Sequence, residues 1–311
     1  MNNNVVVRTV IPLILLIGTG FFARKIKILK SGDERVLSAY MYYFALPALF
    51  LVNMAETSFT EETLRFTFAG IFPVFVTLVI YLLLYFALRF SKDALYLLIL
   101  STVFGSLAFF GIPFVMFAFP TKQGEHLATL SAASVSMVSV TVSITVLELY
   151  KLKESTIWEG LKLVAKRLLR NPLIISILSG ILLSVVGIEI PSPVSTSLHM
   201  LGGTTSTVAI FMLGVFLYGR KYTNIVEAFR LSLLRIVFLP IVALLVTMLF
   251  KLPDLERSIL VLMHGMPVAV SMIVLSERYD FHKETIASLI LVSSLGAGVY
   301  LNLWLLLLGY Y

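Results

Sequence analysis

Residues able to do chemistry gather around two triplets, Gly111-Ile112-Pro113 and Gly265-Met266-Pro267, each lying inside a long apolar run. Ser106 precedes the first triplet, with Phe109 and Phe110 beside it; His264 abuts the second, and Ser271 follows it by one turn. Proline removes a backbone donor and clashes with the preceding turn, so each triplet predicts a broken or kinked helix. The half-helix that restarts after a break offers free N–H groups and about half a positive charge. Such an end attracts an anion without help from Lys or Arg, and none of these is expected at the middle of a span. The expected ligand set is therefore Ser106, Phe109, Phe110, Gly111, Ile112, Pro113, His264, Gly265, Met266, Pro267 and Ser271, with Ser139, Thr204 and Ser293 as further lining. Serine, threonine and glycine in spans also serve close helix packing. His264 titrates in the range that suits proton coupling; the alternative is a neutral imidazole bonded to a freed carbonyl. Glu56, Glu148, Arg8 and Arg235 fall near span ends, where long side chains reach the interface.

Catalytic patterns are missing. There is no Gly-x-Ser-x-Gly elbow, phosphate loop or His-Glu-x-x-His pair. The chain has no cysteine and four histidines, so neither a thiolate nor a multi-histidine metal site is expected. The reading is of a non-enzyme without cofactor or metal, leaving open coupling to H+ or Na+.

The elements that must position these residues follow from composition. The 311 residues are 59% hydrophobic and 13% charged, with a mean hydropathy of +0.98. Soluble domains are roughly 45–50% apolar and about 25% charged. Ten apolar segments, near 5–23, 36–55, 66–88, 94–119, 127–149, 172–189, 193–218, 229–250, 258–276 and 285–309, are each long enough to cross about 30 Å of hydrocarbon. Nineteen of the 24 Lys and Arg residues fall on the odd connectors. The positive-inside rule makes those cytoplasmic and puts both termini outside, in a multi-pass protein of the cell (inner) membrane. The net charge of +7 is thereby loop charge facing membrane lipid, not a nucleic-acid surface. Residues 151–171 carry Ile157, Leu161, Val164 and Leu168 at helical spacing among basic residues, the pattern of a cytoplasmic amphipathic linker.

Two halves repeat. Pro12-Leu13-Ile14 matches Pro172-Leu173-Ile174, Ala48-Leu49-Phe50-Leu51 matches Ala209-Ile210-Phe211-Met212, and Phe72-Pro73-Val74 matches Leu239-Pro240-Ile241. The two opening triplets match in turn, as do Ala133-Ser134 and Ala287-Ser288. Five spans per repeat reverse the second copy, giving an inverted duplication with 1–150 and 172–311 as its halves and a site at the midplane.

The runs Leu46-Pro47-Ala48-Leu49-Phe50, Gly111-Ile112-Pro113 and Asn171-Pro172-Leu173-Ile174 resemble the auxin efflux carrier family. So do Leu213-Gly214-Val215-Phe216-Leu217 and Met266-Pro267-Val268-Ala269 through Leu275-Ser276-Glu277-Arg278-Tyr279. The resemblance covers the whole chain and fits a prokaryotic member. It implies an all-α fold of ten transmembrane helices in two inverted five-helix repeats, as in bile-acid-sodium-symporter-like proteins, with the fourth and ninth helices broken and crossing. It further implies a scaffold of spans 1, 2, 6 and 7 that dimerises, a transport domain of spans 3–5 and 8–10, and an elevator-type movement. Where the family usually carries Asn-Thr-Gly, this chain has Ser106-Leu107-Ala108, a hydroxyl in place of an amide. The function expected is secondary transport of a small organic anion, auxin-like or a dicarboxylate; the alternative is a ligand-binding membrane sensor without net transport.

Overall fold

A computed structural model describes residues 5–58, 60–151, 165–166, 169–219 and 222–310. Eight of the ten apolar segments each form one helix, and the fourth and ninth each form two. In chain order the helices are α1 (Val5–Lys25), α2 (Asp33–Ala55), α3 (Glu61–Leu88), α4 (Lys92–Val103), α5 (Leu107–Ala118) and α6 (Lys122–Lys151). Then come α7 (Pro172–Val186), α8 (Ser192–Leu217), α9 (Ile225–Leu249), α10 (Asp254–His264), α11 (Met272–Tyr279) and α12 (Lys283–Leu307). Six of them, α2, α3, α6, α8, α9 and α12, are long and apolar enough to cross a membrane on their own. Most of the linker pattern over 151–171 lies outside the described residues, as do the side chains of Glu277 and Arg278.

Helix starts and stops follow local chemistry. Ser91 caps α4 by accepting the Ala94 N–H at 3.1 Å, and Asn171 caps α7 by accepting from Leu173 at 3.0 Å with Pro172 in the first turn. A side-chain oxygen satisfies one of the orphan donors at such an end. Gly187 closes α7 at φ 73°, a conformation that costs a residue with Cβ.

Three helices carry a single π-turn, at Met41–Ala45, Leu107–Gly111 and Leu234–Phe238. Each turn sits directly before a Leu-Pro or Ile-Pro pair: Pro47, Pro113 and Pro240. The proline ring collides with the carbonyl four residues back and leaves it without a donor. Widening the preceding turn moves that carbonyl aside, so the helix passes through its proline instead of stopping. At Pro240 the orphan is the Ile236 carbonyl, and the Trp304 indole N–H reaches it from α12 at 2.9 Å.

Packing falls into two groups. In one, α1 lies against α8, and α2 against α7 and α8. In the other, α6 is surrounded by α3, α4, α5 and α10, while α9 contacts α3, α10 and α12. The groups meet where α1 touches α5 and α12, where α8 touches α5 and where α2 touches α6. The α1–α8 approach is backbone on backbone. A Cβ added at Gly20 would stand 2.0 Å from the Phe211 carbonyl oxygen, and one at Gly214 would stand 2.0 Å from that of Ile17.

Candidate functional site

Two helices are interrupted, and their interruptions pair with each other. The chain unwinds between α4 and α5 at Phe104–Ser106, and between α10 and α11 over residues 265–271. The Ser106 N–H donates to the Pro267 carbonyl at 2.7 Å, and the Ala269 N–H donates to the Phe104 carbonyl at 3.0 Å. Gly105 and Val268 thus face each other as an antiparallel β-bridge, with no β-strand among the described residues. The pairing satisfies backbone groups that have no water to turn to in a bilayer.

The second break falls where the sequence places it, with Pro267 in the unwound stretch. The first does not. Gly111-Ile112-Pro113 is helical, because the π-turn at Leu107–Gly111 absorbs Pro113, and the break lies earlier, at Phe104–Ser106. Gly111 instead provides room for a close contact: a Cβ there would come within 2.8 Å of Met263 Sδ and 3.1 Å of Met266 Cγ.

A narrow cavity of about 10 Å³, the room of about one water, opens beside the crossing. Ser106, Phe109 and Phe110 line it from the first broken helix, Val270 from the second, Ser294 from α12, and Ile210 and Leu213 from α8. A larger cleft of about 470 Å³ lies between the ends of α2 and α7, but no residue of the broken helices reaches it. Of the residues expected at the site, Ser106, Phe109 and Phe110 share the cavity. Ile112 and Pro113 are buried in α5, Gly265 packs on Pro240, and Ser271 is exposed at the start of α11. His264 is fully buried; its Nδ1 lies 2.8 Å from the Leu260 carbonyl, and Nε2 has no partner among the described residues. Thr204 bonds to Tyr40 at 2.8 Å and to the Leu201 carbonyl, at the α2–α8 contact. Ser139 is buried on α6 and its hydroxyl has no partner among the described residues.

Ser293 acts on the crossing from behind. Its hydroxyl donates to the Leu289 carbonyl at 2.7 Å and accepts the Val268 N–H at 3.2 Å. Ser293→Ala would orphan that N–H inside the protein, a loss of about 1–3 kcal/mol. The expected result is a lower melting temperature for Ser293→Ala with Ser134→Ala unchanged, since Ser134 bonds only to its own helix.

The residue that sequence reading misplaced is Arg235. It is 1% exposed, and its guanidinium lies between the two broken helices. Nε donates to the Met266 carbonyl at 2.7 Å and Nη1 to the Thr102 carbonyl at 2.7 Å, with the Val103 carbonyl at 3.3 Å and that of Met263 at 3.5 Å from Nη2. The signal was depth. With α9 starting at Ile225, Arg235 lies ten residues in, about 15 Å at about 1.5 Å per residue, or half of a hydrocarbon core of about 30 Å. Starting the span at 229 brings it within reach of the interface. Gly105 makes the space: a Cβ there would fall 1.6 Å from Nη2. Glu148 lies in the last turn of α6, as its place near a span end predicts, but it is 3% exposed and accepts a hydrogen bond from the Tyr279 hydroxyl. Glu56, by contrast, is exposed and pairs with His199 at 3.0 Å.

A multi-pass helical protein whose two broken helices meet over a small cavity has the build of a membrane transporter. Comparison with known proteins supplies the family. The chain belongs to the membrane transport protein family, whose model matches residues 5–305. The auxin efflux carrier resemblance read from the motifs is borne out at that level. The chain is similar to the uncharacterized transporter MJ1031 of Methanocaldococcus jannaschii, 24% identical over 95% of this chain and 96% of the relative. It is also similar to the uncharacterized transporter YfdV of Escherichia coli K12, 24% identical over 95% of each chain.

Proposed function

We propose that this transporter carries a small organic anion, an auxin-like acid or a dicarboxylate, through the cavity beside the crossing. The observation that carries the reading is the pairing of Phe104–Ser106 with Pro267–Ala269. It sets Ser106, just before the second half-helix that starts at Leu107, and Val270, two residues before the one that starts at Met272, on the same cavity. Each start bears about half a positive charge. The Ser106 and Ser294 hydroxyls supply donors, and Phe109 and Phe110 an apolar wall.

Ten spans in two inverted repeats, both termini outside the cell (inner) membrane, complete the proposal. Taking Arg235 out of the cytoplasmic count still leaves eighteen basic residues against five. The division into a scaffold of spans 1, 2, 6 and 7, dimeric in the membrane, and a moving domain of the remaining spans draws support from the two packing groups. A cavity of about 10 Å³ holds no carboxylic acid, so loading requires the groups to slide apart at α8, as elevator-type alternating access would have them do. His264 is the candidate for proton coupling.

Uptake of labelled carboxylates into proteoliposomes tests the reading. A hydrogen bond to a charged group is worth about 1.5–3 kcal/mol, so Ser106→Ala and Ser294→Ala should each raise KM roughly tenfold or more while melting unchanged. If no carboxylate moves, or if both variants keep the wild-type KM, the proposal fails. Saturable binding without flux would favour the sensor reading.

A further inference from the structure

We infer that the Arg235 guanidinium is a built-in cation bracing the crossing, and that its removal opens a site for a guanidinium or small monovalent cation. The inference deepens the proposed function, since it rests on reading the crossing as the transport site.

Helix C-termini end in carbonyls without intrahelical donors and carry about half a negative charge. Two such ends converge here. α4 stops at Val103 and α10 at His264, and the carbonyls of Thr102, Val103, Met263 and Met266 all point at one fully buried group. In transporters with broken helices, unwound carbonyls and half-helix C-terminal ends are the ligands of the coupling cation. In this chain those ligands are already taken. A planar guanidinium presents five donors in a fixed fork and keeps its charge, so one side chain from α9 serves acceptors on two separate helices. The surroundings fit this group closely. Gly105 leaves no side chain where Nη2 lies. The Thr102 hydroxyl is turned to the Leu98 carbonyl at 2.8 Å and accepts from the Tyr81 hydroxyl at 2.7 Å, leaving the Thr102 carbonyl to Arg235.

Arg235 does not line the cavity; it stands on the side of the two C-terminal ends. It is therefore a positioning residue. It holds α4 and α10 in register, and its charge offsets their negative ends while the anion meets the positive starts of the second half-helices. A tethered cation does this work without uptake of a cation from solution, so Na+ is not a ligand of the crossing in this chain.

The test is a melting series on the purified protein. Wild type, Arg235→Ala and Arg235→Lys are each measured at equal ionic strength in tetramethylammonium, sodium and millimolar guanidinium chlorides. Wild type should melt at the same temperature in sodium and tetramethylammonium. Arg235→Ala should melt roughly 5 °C or more lower and be raised by guanidinium, and less by sodium, where tetramethylammonium is too large to enter. Arg235→Lys should fall between, because one ammonium cannot reach carbonyls on both helices in a fork.

Sodium-specific stabilisation of wild type overturns the inference, as does an Arg235→Ala variant that responds to guanidinium no more than wild type. If Arg235→Ala does not fold, Arg235→Lys decides: wild-type melting overturns, and a drop partly restored by guanidinium supports. Melting is read without any flux, so a protein that transports none of the acids tried still reports on Arg235, and the two proposals fail separately.

Discussion

Gly105→Ala is expected to destabilise the protein by about 3–5 kcal/mol, the cost of breaking a buried charge from its partners. The added methyl would lie 1.6 Å from Arg235 Nη2 and 2.2 Å from Cζ. The end of an arginine is ordinarily free to swing aside. Here it is buried and bonded to carbonyls of both α4 and α10. Moving it leaves a charge without partners and strands the Thr102 and Met266 carbonyls. Thermal unfolding in detergent checks this, with Gly203→Ala as the control. Gly203 is helical and has nothing within 4 Å of a would-be Cβ, so alanine there should be neutral or slightly stabilising through helix propensity. Equal melting temperatures for the two variants would show that Arg235 has somewhere else to go.

The second large effect is expected where α1 meets α8. Gly20 and Gly214 each let one backbone touch the other, and a Cβ at either would stand 2.0 Å from a carbonyl oxygen. The atom in the way is backbone, so no rotamer relieves the clash and the helices must separate by more than an ångström. Lipid offers no hydrophobic drive to hold helices together, so their association depends on close packing. Gly20→Ala and Gly214→Ala should therefore each destabilise by about 2–3 kcal/mol. The double variant should cost well under the sum, since helices already forced apart by one methyl have room for the other. Additive losses would mean that the two contacts yield independently. The measurement is a double-mutant cycle of melting temperatures, with Gly18→Ala, which meets nothing within 4 Å, as the reference.

Much of this protein was legible in the sequence because a bilayer imposes simple rules. Apolar length places every helix to within a few residues. Gly265-Met266-Pro267 marks a true break: α10 ends at His264, and Pro267 lies in the unwound stretch. The same logic misplaces the first break. A proline inside a helix can interrupt it, widen the turn before it or, as Pro73 does in α3, be carried through regular helix, and neighbouring helices choose among these outcomes. At Pro113 the close approach that Gly111 permits to Met263 and Met266 favours continuity, and the interruption moves to Phe104–Ser106, where the partner strand supplies hydrogen bonds.

Composition and hydropathy by themselves determined that this is a multi-pass helical membrane protein, and its motifs determined the family, because burial in lipid and the local geometry of proline are written residue by residue. Tertiary structure alone decided what closes the crossing. A single arginine in an apolar helix reads as an interfacial side chain until its partners are known, and those partners, the carbonyls of Thr102 and Met266, are backbone groups that every sequence contains. Only folding makes them orphans and brings them to Arg235. The unwound strands, the cavity beside them and the buried cation behind them are thus products of long-range assembly.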